Sequence, residues 1–128
     1  MALSMIQTSA GRRQALLNIW MEVIGDETGY PKGEINALIK QRKLLDLMLS
    51  YPEHYPDVTK SHVRFSALGN SALDAARAAL AAHLRAADLT DEHFTEYLVE
   101  IESFAGDMGI QLPRPGDLYP ALMGRADA

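Results

Sequence analysis

Residues 71–87, SALDAARAALAAHLRAA, decide the fold class of this chain. Alanine and leucine favour the helix, and the apolar positions recur at steps of three and four residues, so they share one helix face. That face consists of Leu73, Ala76, Leu80, His83, Leu84 and Ala87. The sequence predicts a helix over about 71–87, which begins with a capping box formed by Ser71 and Asp74. His83 is predicted to point into the core, where an ionisable ring needs a hydrogen-bond partner or a ligand.

The segments on both sides of this helix show the same period. It predicts further helices over about 9–24, 34–50, 57–68 and 91–108, with a last turn at about 117–123. Asp57 is a candidate cap for the third helix, and Gly69 leaves open whether 58–87 form one helix or two. The face predicted for the second helix consists of Ile35, Leu38, Ile39, Leu45, Met48 and Leu49.

The clearest apolar stripe follows Thr90, which is placed to cap a helix. Asp91 and Glu92 would then occupy the first turn, where the helix dipole favours negative charge, and Gly109 is placed to end the helix. The stripe consists of Phe94, Leu98, Ile101, Phe104, Ala105 and Met108. No segment alternates as a β-strand does, so we predict an all-α fold of five to six helices with orthogonal or bundle-like packing.

Length and composition are typical of one globular domain. The chain has 128 residues, 48% of them hydrophobic and 23% charged, and no cysteine. We therefore predict a single domain over 1–128, with frayed ends at about 1–7 and 124–128. No signal peptide or membrane span is recognisable, so a cytoplasmic location without membrane contact is expected.

Charge is distributed unevenly along the chain. Residues 1–64 carry 8 Lys or Arg and 7 Asp or Glu, whereas residues 65–128 carry 4 and 10. The acidic second half argues against nucleic-acid binding there. Glu92, Glu96 and Glu100 form an acidic row at i, i+4 spacing, which indicates a solvated face or a docking site for a basic partner. His93 and Glu96 share a helix face at i, i+3 and are expected to form a solvated pair, with a contribution to a weak divalent metal site as the alternative.

The motifs of common enzyme sites are absent. The sequence has no Gly-rich phosphate loop with its lysine, no G-x-S-x-G and no H-E-x-x-H. No second catalytic group accompanies a histidine, so an enzyme is the less favoured class. His83 is interpreted as a core histidine or as a ligand to a metal or haem. His62 shares a predicted face with Val58 and Phe65, so it is a second candidate inward histidine.

The residues around His83 resemble those of the truncated haemoglobins. The stretch His83-Leu84 followed by Leu89-Thr90-Asp91-Glu92-His93-Phe94 is similar to the haem-ligating histidine and the next helix in that family. Residues 19–26, IWMEVIGD, are similar in spacing to its early helix, and 62–65, HVRF, resemble its distal helix. The resemblance implies a globin fold that binds haem and a diatomic gas. It implies His83 as the proximal iron ligand, with His62, Phe65 and Trp20 near the distal side.

Two functions follow from these patterns. The favoured one is a small interaction or regulatory module that presents a helical face or groove to a protein partner, or to a second copy of itself. Its predicted contact residues are Glu92, Glu96 and Glu100. The alternative is a haem-binding, globin-like protein with His83 on the iron.

Overall fold

The computed structural model describes residues 9–67, 69–116 and 119, and within these ranges the chain is helical and has no strand. The helices are α1 (Ser9–Thr28), α2 (Lys32–Ile39), α3 (Leu45–Leu49), α4 (Pro56–Ser66), α5 (Asn70–Ala82) and α6 (Asp91–Asp107). A π-helical segment, Lys40–Leu44, joins α2 to α3, and a 3₁₀ turn, Ala86–Asp88, precedes α6. The all-α prediction is confirmed. No described helix has the length and apolar character that a membrane crossing requires.

Several predicted helix boundaries change. Gly69 separates two helices, so 58–87 are not one helix, and α5 ends at Ala82 rather than at Ala87. The N-cap of α5 is Gly69 without a side-chain hydrogen bond, so the capping box predicted at Ser71 is wrong. Pro56 occupies the first turn of α4, where its missing N–H costs nothing, and Tyr55 rather than Asp57 is the N-cap. The predicted turn at 117–123 and the frayed ends lie outside the described residues, apart from Tyr119.

Both predicted ends of α6 are confirmed. The hydroxyl of Thr90 accepts a hydrogen bond from the backbone N–H of His93 at 3.1 Å. At the other end Gly109 has φ +75°, which a residue with a Cβ rarely adopts. The N–H of Ile110 bonds to the carbonyl of Ala105 at 2.9 Å, and that of Gly109 to Gly106 at 2.9 Å. This Schellman motif satisfies carbonyls that the helix end leaves open.

The described helices belong to two compact units. The terminal unit comprises Met1–Ile35 and Arg85–Ala128, and the central unit comprises Asn36–Leu84. In the terminal unit α1 and α6 supply the buried side chains that form most of its core. These are Leu16, Leu17, Trp20, Met21 and Ile24 from α1, and Phe94, Tyr97, Leu98, Ile101 and Ala105 from α6.

The central unit buries mainly aliphatic side chains. They come mostly from the segment that runs through α2, the π segment and α3, and no residue of α4 is buried. The buried residues are Ile39, Leu44, Leu45, Leu47, Met48, Tyr55, Ala81 and Leu84. The prediction of one domain over 1–128 stays a prediction.

Candidate interaction surface

His83 is exposed, so the prediction that its ring lies in the core is wrong. The residue is the C-cap of α5, and its N–H bonds to the carbonyl of Leu80 at 3.1 Å, a last tight turn. Arg85 then takes an extended conformation with φ −128° and ψ 128°, which ends the helical run. The haem hypothesis stays a prediction. It requires a Soret band after haemin addition that His83→Ala abolishes.

Arg13 organises the turn that precedes α6. Its Nη1 donates to the carbonyl of Leu89 at 2.8 Å and lies 3.5 and 3.4 Å from the carbonyls of Ala86 and Ala87. Its Nη2 donates to Asp91 at 2.7 Å, and the guanidinium lies 4.5 Å from the centre of the Phe94 ring. The last carbonyls of a helix lack intrahelical donors, and here the guanidinium supplies a donor to this region, which stabilises the 3₁₀ turn.

The other histidines are placed differently from their predictions. His93 is 5% exposed, so its predicted solvation is wrong, whereas His62 is half-buried on α4. Nη1 of Arg77 lies 2.7 Å from Nε2 of His62, and its Nη2 donates to Asp46 at 2.7 Å. A guanidinium only donates, so Nε2 of His62 accepts. Arg77 of α5 therefore links α3 and α4, and occupies the histidine nitrogen.

Trp20 is fully buried, as expected for a core residue. Its Nε1 donates to the carbonyl of Pro113 at 2.6 Å, and its ring centre lies 6.1 Å from that of Tyr119. Phe65 is half-buried. Of the residues that the globin resemblance places near haem, His83, His62 and Phe65 belong to the central unit and Trp20 to the terminal unit.

The outer face of α6 is exposed along its whole length. Its residues recur at three- and four-residue steps, so they project to one side of the helix. They are Glu92, Glu96, Val99, Ser103, Gly106 and Asp107. Glu92 and Glu96 thus lie where the acidic row was predicted, whereas Glu100 is half-buried at its side. Val99 is 50% exposed, an apolar side chain in the middle of this face.

A groove runs along the carboxyl-terminal half of the same helix. It has a volume of about 1250 Å³ and is open to solvent. Its walls are α6, the segment that follows it, and one residue of α1. The lining residues are Val23, Val99, Glu102, Ser103, Gly106, Gly109, Ile110, Gln111, Leu112, Pro113, Arg114 and Tyr119. Sequence reasoning missed this groove, because residues 110–116 carry no helical period.

A polar cluster forms part of the groove lining. Glu102 accepts from Nε of Arg114 at 3.0 Å and from the hydroxyl of Tyr119 at 3.1 Å, and the guanidinium lies 4.8 Å from the Tyr119 ring centre. Burial, followed by the hydrogen bond to Glu102, raises the pKa of Tyr119. The hydrogen bond to Glu102 also raises the pKa of Arg114. The negative charge of the Glu102 carboxylate is thus compensated locally.

A metal site among the described residues and a similarity to known proteins would both indicate function. Among the described residues, no group of three or more His, Cys, Asp or Glu side chains is arranged to hold a metal ion. Compared with protein families, curated proteins and solved structures, the chain matches none of them. The described part of the terminal unit thus presents an acidic helix face that continues into a mostly apolar groove.

Proposed function

We propose that this chain is a helical interaction module that binds a basic segment of a protein partner along α6. The observation that carries the proposal is the outer face of that helix, where Glu92 and Glu96 are exposed beside the half-exposed Val99. Carboxylates on a surface attract Lys and Arg of a partner, and exposed apolar area favours contacts that remove it from water.

Net charge supports a basic partner. The terminal unit carries 6 Lys or Arg and 13 Asp or Glu, which gives −7, whereas the central unit carries 6 and 4, which gives +2. A field of one sign accelerates association with a ligand of opposite charge and disfavours acidic ligands. The acidic helix α6 lies in the more strongly charged unit.

Two labelled synthetic peptides test the proposal by fluorescence anisotropy. Both form an amphipathic helix of about 16 residues with the same leucine face, and their polar positions carry Lys in one and Glu in the other. The basic peptide is expected to bind with a Kd on the order of 10–100 µM, and the acidic one at least about tenfold more weakly. Binding should weaken as salt rises from about 0.05 to 0.5 M.

A matched pair of variants locates the contact. The double variant Glu92→Lys, Glu96→Lys should raise the Kd of the basic peptide about three- to tenfold, because each exposed charge contributes a fraction of a kcal/mol to binding. Glu22→Lys with Asp26→Lys places the same charge change at the same spacing on exposed positions of α1, and should weaken binding less. Equal binding of the two peptides, or equal loss in both variants, contradicts the proposal.

A further inference from the structure

We infer that the groove beside α6 binds the apolar side of the partner segment, and that this segment is a basic amphipathic helix. The inference rests on the proposed function and specifies what the same surface recognises. The groove shares Val99, Ser103 and Gly106 with the outer face of α6, so the acidic and apolar parts form one continuous surface.

The dimensions of the groove favour a peptide segment. Its volume of about 1250 Å³ exceeds the roughly 300–1,000 Å³ of small-molecule pockets, and it is open to solvent. Val23, Ile110 and Leu112 provide apolar walls for side chains at helical spacing. Ser103 and Gly106 are small, and a Cβ added at Gly106 meets no atom within 4 Å, so a partner helix has room to approach α6 closely.

The wall opposite α6 is held in place without a partner. Trp20 donates to the carbonyl of Pro113 at 2.6 Å, Ile110 bonds back to Ala105 at 2.9 Å, and Leu112 is 6% exposed. Binding to a preformed groove avoids the entropy cost of ordering a loop.

The charge pattern determines how the segment lies. Glu102 at the groove is compensated by Arg114 and Tyr119, whereas Glu92 and Glu96 lie toward the amino-terminal end of α6. Glu96 and Ser103 are seven residues apart, about 10 Å along the helix axis. The partner segment should therefore carry apolar anchors at i and i+3 or i+4, with Lys or Arg about two helical turns away.

Filling the groove tests the inference directly. Ser103 is exposed, so Ser103→Trp fills the groove without entering the core. The matched control is Ala78→Trp, at an exposed position of α5. Ser103→Trp is expected to raise the Kd of the basic peptide at least tenfold, while binding still weakens as salt rises. The control variant should leave this Kd unchanged. Replacing the anchor leucines of the peptide by alanine should cause the same loss, with the protein itself unaltered. Urea midpoints establish that both protein variants fold.

The possible outcomes separate the groove from the acidic row. Binding of the basic peptide could require Glu92 and Glu96 and yet be unaffected by Ser103→Trp and by replacement of the peptide leucines. In that case the groove inference is overturned and the proposed function stands. If the basic peptide does not bind at about 0.5 mM, both are overturned. A concentration-dependent dimer that Ser103→Trp abolishes identifies a second copy as the occupant. That result overturns the inference.

Discussion

The terminal unit buries the rings of Trp20, Phe94 and Tyr97 almost completely, whereas no aromatic ring described in the central unit is buried to the same extent. The terminal unit also carries −7 and the central unit +2. Large rings remove more apolar surface from water than aliphatic side chains do. The comparison indicates that an aromatic core allows the terminal unit to carry its like charges, which repel each other.

In the central unit, polar side-chain contacts connect α4 to its neighbours. Helix α4 has no buried residue, and the contact of Arg77 with His62 and Asp46 links α4 and α3 to α5. Half-exposed ion pairs contribute little to stability, so α4 is expected to be among the first elements to open.

The largest effect is expected in the aromatic core. Trp20→Ala should lower the free energy of unfolding by about 3–5 kcal/mol, because a large cavity remains. Phe65→Ala in the half-buried face of α4 should cost less than about 2 kcal/mol. Urea unfolding followed by far-UV circular dichroism measures both. Equal costs would refute the proposed difference between the units.

A smaller difference is expected between two arginines. Arg13→Met should cost about 2–3 kcal/mol, because Arg13 is 6% exposed and the carbonyl of Leu89 loses its donor. Arg77→Met should cost about 0.5–1 kcal/mol, since its partner Asp46 has a side chain that is 61% exposed. Arg13→Lys is the control, and it should restore only part of the loss because lysine lacks the planar fork.

The pH dependence of the free energy of unfolding above pH 10 tests the burial of the Tyr97 hydroxyl. Burial raises the pKa of Tyr97, so above pH 10 the folded state keeps a proton that the unfolded state loses. The stability contributed by this proton is then complete below the unfolded pKa and is lost progressively as pH rises above it. Tyr97→Phe should flatten the profile above pH 10 in urea titrations. An unchanged slope would contradict the assignment, since Tyr119 shifts in the same direction but is less buried.

The smallest effects concern helix propensity alone. Gly106→Ala should stabilise α6 by about 0.5–1 kcal/mol, because the position is helical and has open space. Ala78→Gly, at an exposed position of α5, should lower the free energy of unfolding by a similar amount. Hydrogen exchange on α4 and α6 then reports cooperativity. If Ala78→Gly speeds exchange only in α4 and α5, the two units open separately.

The sequence predicted every main helix, because each has a helical period and a recognisable stop. It did not predict the end of α5, since alanines favour helix through Ala87 while Arg13, more than 70 residues away, contacts the carbonyls of Ala86, Ala87 and Leu89. A contact over that distance leaves no local signal. The burial of His83 was therefore predicted wrongly.

The acidic part of the candidate surface was predictable, and the apolar part was not. Glu92 and Glu96 follow from i, i+4 spacing on a strongly periodic helix. The groove depends on where residues 110–116 fold back, and that path is set by the Trp20 bond to Pro113 and by the turn at Gly109. Neither contact follows from periodicity.

The π-helical segment explains why the face predicted for the second helix is only partly buried. Ile39 and Leu44 are five residues apart, about 140° around an α-helix, yet both are fully buried. The N–H of Leu45 bonds to the carbonyl of Lys40, a five-residue step that accommodates one additional residue. Leu44 and Leu47 are buried as a result, whereas the predicted Leu38 and Leu49 are only half-buried.

The additional residue in the π-helical segment predicts where homologues of this chain can differ in length. A homologue with one residue fewer between Lys40 and Leu44 can close the turn as an ordinary α-helix and still bury the counterparts of Ile39, Leu44 and Leu47. The Lys40–Leu44 segment is therefore where insertions and deletions should be tolerated, in the interior of an element rather than in a loop. An alignment of such chains should place its gap there.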